Sequence, residues 1–346
     1  MYKLNQYGLL ALCLLGVFAC QKAKSEQQQE EEKEQERVAD LLPVRLMSFN
    51  IRYNTTADTG EKSWASRKNA CFALIRDIDP DVIGFQEPRM KASENQRQDI
   101  ISALSSDYAW HAIKTNDPGV SNTVIRPSTG SAVDAETKTG YTLLVYKKER
   151  FTLVESGYFW LGATPDKACI PFNADDDQVR TCIWVHLREN EKGHELFFFD
   201  AHSPYTASAG DNVARLQCFE LIVAKMKAIA GYDAPLVVVG DMNSSYALND
   251  TRRDALEPYY KWMYAARGDG DDYGVYRYHT YPSDYYAEPR VYSYNDFGGQ
   301  SPATTWNIDH IFYRNMIPVE FRTITSPNYG VTYVSDHYPI ILDAKF

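Results

Sequence analysis

Val238-Val239-Gly240-Asp241-Met242-Asn243 runs from an apolar stretch directly into a polar cluster. Asn307-Ile308-Asp309-His310-Ile311-Phe312 and Ser335-Asp336-His337-Tyr338-Pro339-Ile340 join polar and apolar residues in the same way. The apolar part of each reads as a buried strand. Three such stretches put Asp, Asn and His side chains beside strand positions. Carboxylates, a carboxamide and imidazoles on rigid elements suit the binding of a hard divalent cation and proton movement around a phosphate. The chemistry they point to is metal-assisted hydrolysis of a phosphoester.

Outward from these stretches, strands are predicted at Val44 to Asn50, Val82 to Phe85, Thr142 to Tyr146, Phe151 to Phe159, Thr181 to Arg188 and Leu196 to His202. Further strands are expected at Leu236 to Gly240, Ile308 to Tyr313, Val319 to Ile324 and Tyr338 to Ala344. Helical spacing runs from Trp64 to Ile78, stopped by Asp79-Pro80-Asp81, and again from about Asp211 to Ala230. Pro258 to Thr305 is rich in Tyr, Gly, Asp and Pro and has little periodicity. Strands mixed with few long helices imply layered sheets with helices outside.

Six constellations follow one another along the chain. Ser48-Phe49-Asn50 ends the first strand in a carboxamide, and Gly84-Phe85-Gln86-Glu87 ends the second in a carboxylate. Arg180-Thr181 opens a strand, and Asp200-Ala201-His202-Ser203-Pro204 ends one with an imidazole. Gly240-Asp241-Met242-Asn243 comes next, and Asp309 with Asp336-His337 closes the series.

In this order, over residues 44 to 346, they resemble the endonuclease/exonuclease/phosphatase superfamily of DNase I-like nucleases, inositol polyphosphate 5-phosphatases and neutral sphingomyelinases. The resemblance implies a DNase I-like four-layer α/β/β/α sandwich, two facing mixed β-sheets flanked by helices, with a divalent-metal site at one edge. Trp64 and Arg67 match a Trp-x-x-Arg pattern of that superfamily, read as structural.

Roles can be set beside ordinary alternatives. Glu87 is the first metal ligand, although a Glu after an apolar strand is by itself a solvated strand end. Asn50 supplies a carbonyl oxygen or holds a ligand in place, and Asp336 is a further metal ligand or supports one. Mg²⁺ is the expected cofactor, with Mn²⁺ or Ca²⁺ as substitutes. On an extended backbone Asp241 and Asn243 point the same way. Asp241 would then orient or deprotonate water while Asn243 holds a phosphate oxygen; an Asx-turn is the ordinary reading of Asp-x-Asn.

Asp309 hydrogen-bonded to His337 would fix the imidazole tautomer and support a charged ring. That ring takes a proton from water or stabilises the transferring phosphoryl group, and the residues leave the choice open. His202 would protonate the leaving oxygen or bind phosphate, and Arg180 would bind phosphate. Asp200 stands where Asn is usual in the superfamily. His310 alternates away from Asp309 and gets no role.

The 346 residues are 44% hydrophobic and 13% aromatic, which fits a globular protein with one large domain. The formal net charge is −10, which disfavours a dedicated nucleic-acid binder but not a nuclease whose metal supplies positive charge. A phosphodiesterase or phosphatase acting on a small or lipid-linked phosphate ester is therefore the leading function. Alternatives are an extracellular DNase or RNase and a catalytically inactive surface binding module. The partner is the phosphate-ester substrate, with nucleic acid only as a possible substrate, and a monomer is expected.

Leu9 to Ala19 is an apolar run of signal-peptide length behind Lys3. With Cys20 it resembles a bacterial lipoprotein signal, in which the cysteine becomes the lipidated first residue; an incidental cysteine after an ordinary secretory signal is the alternative. Residues 1–19 are thus expected to be removed, 20–40 to form a solvated Gln-, Glu- and Lys-rich tether, and 41–346 to be the catalytic domain. This places the protein outside the cytoplasm, lipid-anchored to a bacterial membrane on the periplasmic face or the cell surface. Cys71 and Cys218 read as core residues, and a Cys169–Cys182 disulfide is left open.

Overall fold

The structure, a computed structural model, describes residues 28–29, 39–90, 95–113, 123–125, 132–134, 142–175, 178–245, 250–266, 275–276, 292–300, 307–327 and 329–346. The expected signal peptide, Cys20 and most of the tether lie outside the described residues, as does much of the Tyr-rich segment. The chain divides into two units, Met1–Leu42 and Pro43–Phe346. In the first, Gln28, Gln29, Ala39 and Asp40 take helical backbone.

The second unit opens with β1 (Pro43–Asn50), α1 (Trp64–Ile78) and β2 (Val82–Gln86). Helix α1 ends where the sequence places its stop: Asp79 takes a left-handed φ of 52° while its N–H still bonds Ile75 O, and Pro80 cannot prolong the helix. Then come α2 (Gln96–Leu104), β3 (Tyr108–Ala112), the hairpin β4 (Thr123–Ile125) and β5 (Ala132–Asp134), β6 (Thr142–Lys147) and β7 (Phe151–Trp160). They are followed by β8 (Thr181–Glu189), β9 (Glu195–His202), α3 (Ala209–Ala230), β10 (Leu236–Asp241), α4 (Glu257–Tyr260), β11 (Tyr264–Ala266) and β12 (Val275–Tyr276). The last strands are β13 (Asp309–Arg314), β14 (Ile317–Thr323) and β15 (Ile340–Lys345).

One mixed sheet has the order β14-β15-β1-β2-β6-β3 and the other β12-β11-β13-β10-β9-β8-β7. Alternation along each central strand splits its side chains between two packing layers. Met47 and Phe49 of β1 join Phe85 of β2 in a core shared with Cys71, Leu74 and Ile75 of α1. Phe199 and Ala201 of β9 and Val238 of β10 join Cys218, Phe219 and Ile222 of α3. Each of these large apolar side chains contributes about 1.5–3 kcal/mol through burial. The opposite faces of the sheets meet each other. A Cβ at Gly84 would lie 2.6 Å from Val239 Cγ2 and 2.9 Å from Asp200 Cγ, so glycine permits this close approach. The result is a four-layer α/β/β/α sandwich of DNase I-like type.

Cys71, Cys169, Cys182 and Cys218 are free thiols, so the disulfide left open at 169 and 182 is not formed here. Cys71 and Cys218 are buried core residues.

Candidate metal-dependent active site

Strand register builds the site. Asp241 at the end of β10 is paired with His202 of its parallel neighbour β9 and with Asp309 of its antiparallel neighbour β13. One row across three strands therefore carries a carboxylate flanked by an imidazole and a second carboxylate. Gly240 makes the row possible: its φ is 150°, and a Cβ there would overlap the Ala201 carbonyl oxygen. In the other sheet Asn50 of β1 is paired with Gln86 of β2. The two rows meet where Asn50 Nδ2 donates to Asp241 Oδ2 at 2.9 Å.

Loops complete the cluster. Glu87 follows β2 with a φ of 72°, a left-handed conformation that costs a residue with a Cβ about 1–3 kcal/mol. That turn lets Oε2 accept from Tyr53 N at 2.8 Å and brings Oε1 to 3.4 Å from Asn50 Nδ2. Asn50 Oδ1 accepts from Arg52 N at 3.0 Å, so its amide links Glu87 to Asp241 while its oxygen is engaged by backbone. Asp336 lies 3.4 Å from Arg52 Nη1, and Asp58 holds the same guanidinium through two bonds of 2.9 and 3.2 Å.

Asp241 and Asn243 do not share one side of an extended backbone, contrary to the expectation from their spacing. Asp241 Oδ1 accepts from Asn243 N at 2.9 Å, and Asn243 has a φ of 47°, so Asp-x-Asn forms a turn. Asn243 remains at the site, its Nδ2 donating to Ser203 O at 3.2 Å.

His337 Nδ1 lies 2.7 Å from Asp309 Oδ2, and its Nε2 lies 3.8 Å from Asp241 Oδ2. Burial works against charge on this ring, but Asp309, Asp241 and Asp336 outweigh it and raise its pKa to about 10. His202 Nε2 is 3.5 Å from the same Asp241 oxygen. That contact is not an ion pair, because burial, the Arg180 guanidinium and His337 push the His202 pKa well below the usual value. Arg180 thus acts on His202 through its charge. Asp241, buried beside Asp309, has its pKa raised to about 7, and Asp336 is raised by burial and by Glu87.

Of the site residues expected from the sequence, Asn50, Glu87, Arg180, His202, Asp241, Asn243, Asp309, Asp336 and His337 come together in the structure, and Cys20 lies outside the described residues. Asp241, Asp309 and His337 each present a ligand atom, all within 4.8 Å of one another. Asp309 Oδ2 and His337 Nδ1 are engaged with each other, which suits this pair to proton handling, while Asp309 Oδ1 has no hydrogen-bond partner among the described residues. Glu87 and Asp336 remain as hard oxygen donors. Burial is the first cause of the raised carboxyl pKa values, with like charge added at Asp241 by Asp309 and at Asp336 by Glu87, and a hard divalent cation fits such crowding of carboxylates.

Four further residues support the site without having been singled out in the sequence. Arg52 directly follows Asn50-Ile51, and Gln96 is fully buried on α2 with Oε1 accepting from Asn54 N at 3.0 Å and Nε2 donating to Arg52 O at 2.9 Å. Ser293 Oγ accepts from Ile308 N at 3.0 Å and Asp309 N at 3.1 Å. Tyr294 bridges His337 through backbone, with its ring centroid 4.9 Å from the imidazole. Only the adjacency of Arg52 to Asn50 was a usable signal; the others are long-range.

The sequence pattern of the Endonuclease/Exonuclease/phosphatase family matches residues 47–337, and the chain belongs to this family. Among solved structures, an endonuclease/exonuclease/phosphatase from Bacteroides vulgatus is similar at 24% identity, covering 88% of this chain and 98% of that one with a TM-score of 0.66. The mannosyl-6-phosphatase Bt3783 of Bacteroides thetaiotaomicron is 21% identical, with 88% and 100% coverage and a TM-score of 0.63. TDP2 of D. rerio, complexed with a single-stranded DNA product, is 14% identical, with 87% and 98% coverage and a TM-score of 0.57. No curated protein matches the sequence.

Proposed function

We propose that the protein is an exported, lipid-anchored phosphoesterase that uses a divalent cation, Mg²⁺ first, to hydrolyse a phosphate ester of a small or lipid-linked compound. The observation that carries the phosphoesterase reading is the meeting of Glu87, Asp241, Asp309 and Asp336 with a charged His337 at one end of the sheet seam, while export and anchoring rest on the Leu9–Cys20 sequence alone. Net acidity favours small esters over polynucleotides. The mannosyl-6-phosphatase among the structural neighbours supports this choice of substrate class.

Glu87 and Asp336 would hold the cation, with Asn50 fixing Glu87 and Asp241 in place. When bound, it supplies Lewis-acid stabilisation of charge on the phosphoryl oxygens. Asp241 takes the proton of the attacking water; a carboxylate whose pKa is about 7 is matched to that task at neutral pH. His337, protonated to about pH 10, has no lone pair at Nε2 for water, so its role is to stabilise negative charge on the phosphoryl group. His202, held neutral, is a poor proton donor and binds a phosphate oxygen by hydrogen bonding. Asn243 and Arg180 are the remaining phosphate-binding groups.

The test is a Mg²⁺-dependent screen of the purified protein on bis-(p-nitrophenyl) phosphate, p-nitrophenyl phosphate, sugar and inositol phosphates, sphingomyelin, RNA and plasmid DNA. Cleavage of small esters, abolished by chelation and by Asp241→Asn or His337→Ala, is the expected result. Plasmid nicking at low enzyme concentration would replace this substrate class with a nuclease. Wild-type rates in both variants would overturn the mechanism.

A further inference from the structure

Arg67 occupies a place that a helix-to-sheet contact would ordinarily give to an apolar residue. It lies on the buried face of α1 and is fully enclosed, with a relative exposure of 0%. Burying a guanidinium carries a large desolvation cost unless its donors are satisfied. Here they are satisfied by main-chain carbonyls. Nε donates to Lys62 O at 2.9 Å, Nη1 to Ile51 O at 2.6 Å and Val334 O at 3.0 Å, and Nη2 to Arg52 O at 2.8 Å.

These carbonyls belong to the segments that carry the site. Ile51 and Arg52 directly follow Asn50. Val334 directly precedes Ser335-Asp336-His337. A second bond joins the same two segments, from Ser335 Oγ to Asn50 O at 2.8 Å. A third segment closes over the guanidinium, with the Phe297 ring centroid 5.6 Å from Arg67 Cζ. That segment is bonded to the Asp336 loop through Asn295 N to Asp336 O at 2.7 Å and Asn295 Nδ2 to Ser335 O at 3.2 Å.

We propose that Arg67 is a positioning residue: one planar guanidinium fixes the Asn50–Arg52 and Val334–His337 backbones relative to each other. The geometry that results is that of Asp336 beside Arg52 and of His337 against Asp309 and Asp241. Arginine suits this task because its donors form a rigid fork, whereas lysine offers one nitrogen on a flexible stem. The inference rests on the phosphoesterase reading above, and it explains why the Trp-x-x-Arg pair falls on α1: Trp64 packs 5.4 Å from the same guanidinium.

The experiment compares wild type, Arg67→Lys and Ile222→Ala, the last a buried α3 residue in the other helix layer that serves as a destabilised control. The kinetic and NMR measurements are made well below the melting temperatures, with folding checked by circular dichroism. Three quantities are read: the Mg²⁺ concentration for half-maximal thermal stabilisation, the His337 ring-proton signal in metal-free protein, and kcat and KM on bis-(p-nitrophenyl) phosphate.

Arg67→Lys is expected to raise the Mg²⁺ requirement about tenfold or more, the size typical for loss of a group that orients metal ligands. It should also lower kcat by a similar factor with little change in KM, and shift or broaden the His337 signal. Ile222→Ala should lower the melting temperature and change none of the three. Arg67→Lys behaving like Ile222→Ala would overturn the proposal. Should Arg67→Lys fail to fold, Ser335→Ala removes the second bond between the same segments; it should move all three quantities in the same direction, and their constancy would overturn the proposal. A wild type that neither binds Mg²⁺ nor cleaves the ester would refute the phosphoesterase reading, and the His337 signal alone would then decide the role of Arg67.

Discussion

His337 Nδ1 and Asp309 Oδ2 stand 2.7 Å apart on loop and strand segments 28 residues apart in sequence, and both side chains are buried. The bond fixes which imidazole nitrogen faces Asp241 and keeps the ring charged. Asp309→Asn would retain the shape but remove the charge that supports the imidazolium. Activity should fall by about 10²–10⁴-fold, the range for a positioned proton-handling group. Steady-state kinetics would check this, and a loss below threefold would show that the pair does not serve the reaction.

The same pair makes a pH expectation for the metal-free protein. The folded pKa of His337 is raised from 6.5 to about 10, so its stabilising contribution is fully present below about pH 6.5 and is lost as pH rises through about 10. Denaturation curves between pH 6 and pH 11 should therefore show a wild-type decline toward the alkaline end that is weakened in Asp309→Asn. NMR titration of the ring would provide the direct measurement. A midpoint near the ordinary histidine value would contradict the structure.

Asp241 carries the opposite balance. Its folded pKa is raised from 3.8 to about 7, mainly by burial and then by Asp309. A raised carboxyl pKa means that ionisation disfavours the folded state, progressively as pH climbs from about 3.8 to about 7. Asp241→Asn should thus lose activity while melting at a higher temperature than wild type in metal-free buffer at pH 8. Such an exchange of stability for function is common at active sites. Calorimetry on both proteins tests it, and a lower melting temperature for the variant would count against it.

Gly240→Ala places a Cβ against the Ala201 carbonyl oxygen at a φ that L-residues avoid. The strand pairing that aligns Asp241 with His202 must then shift. A destabilisation of about 3 kcal/mol is expected from strain and overpacking, with activity lost in any folded fraction. Urea denaturation would give the value, and a change under 1 kcal/mol, within ordinary surface effects, would mean the strands can part without cost.

Cys20 is expected to carry lipid. Metabolic labelling with palmitate and detergent-phase partitioning should find wild type acylated and membrane-bound, and Cys20→Ala in the aqueous phase. Equal partitioning of both would remove the anchor from the proposal.

Much of the fold is written in local chemistry. The apolar runs ending at Asn50, Phe85, His202 and Gly240 mark central strands because buried sheet residues must be apolar on both faces. The α1 boundary at Asp79-Pro80 follows from capping and proline sterics, which are equally local. Helix α2 and strand β3 were not legible. Of the nine residues of α2 only Gln96, Ile100 and Leu104 are buried, and the edge strand β3 buries only Tyr108 and Ala112, so neither carries a strong periodic signal.

The donor types of the site, their order and their attachment to strand ends can be read from the residues alone. Their states arise only on folding: His337 charged, His202 neutral, Asp241 turned back on Asn243, and Asn50 bonding carboxylates through its amide. The reason is that protonation depends on burial and on charges a few ångströms away, and those neighbours come from strands and loops far apart along the chain. Sheet register sets the distances, and no single stretch of residues encodes that register alone.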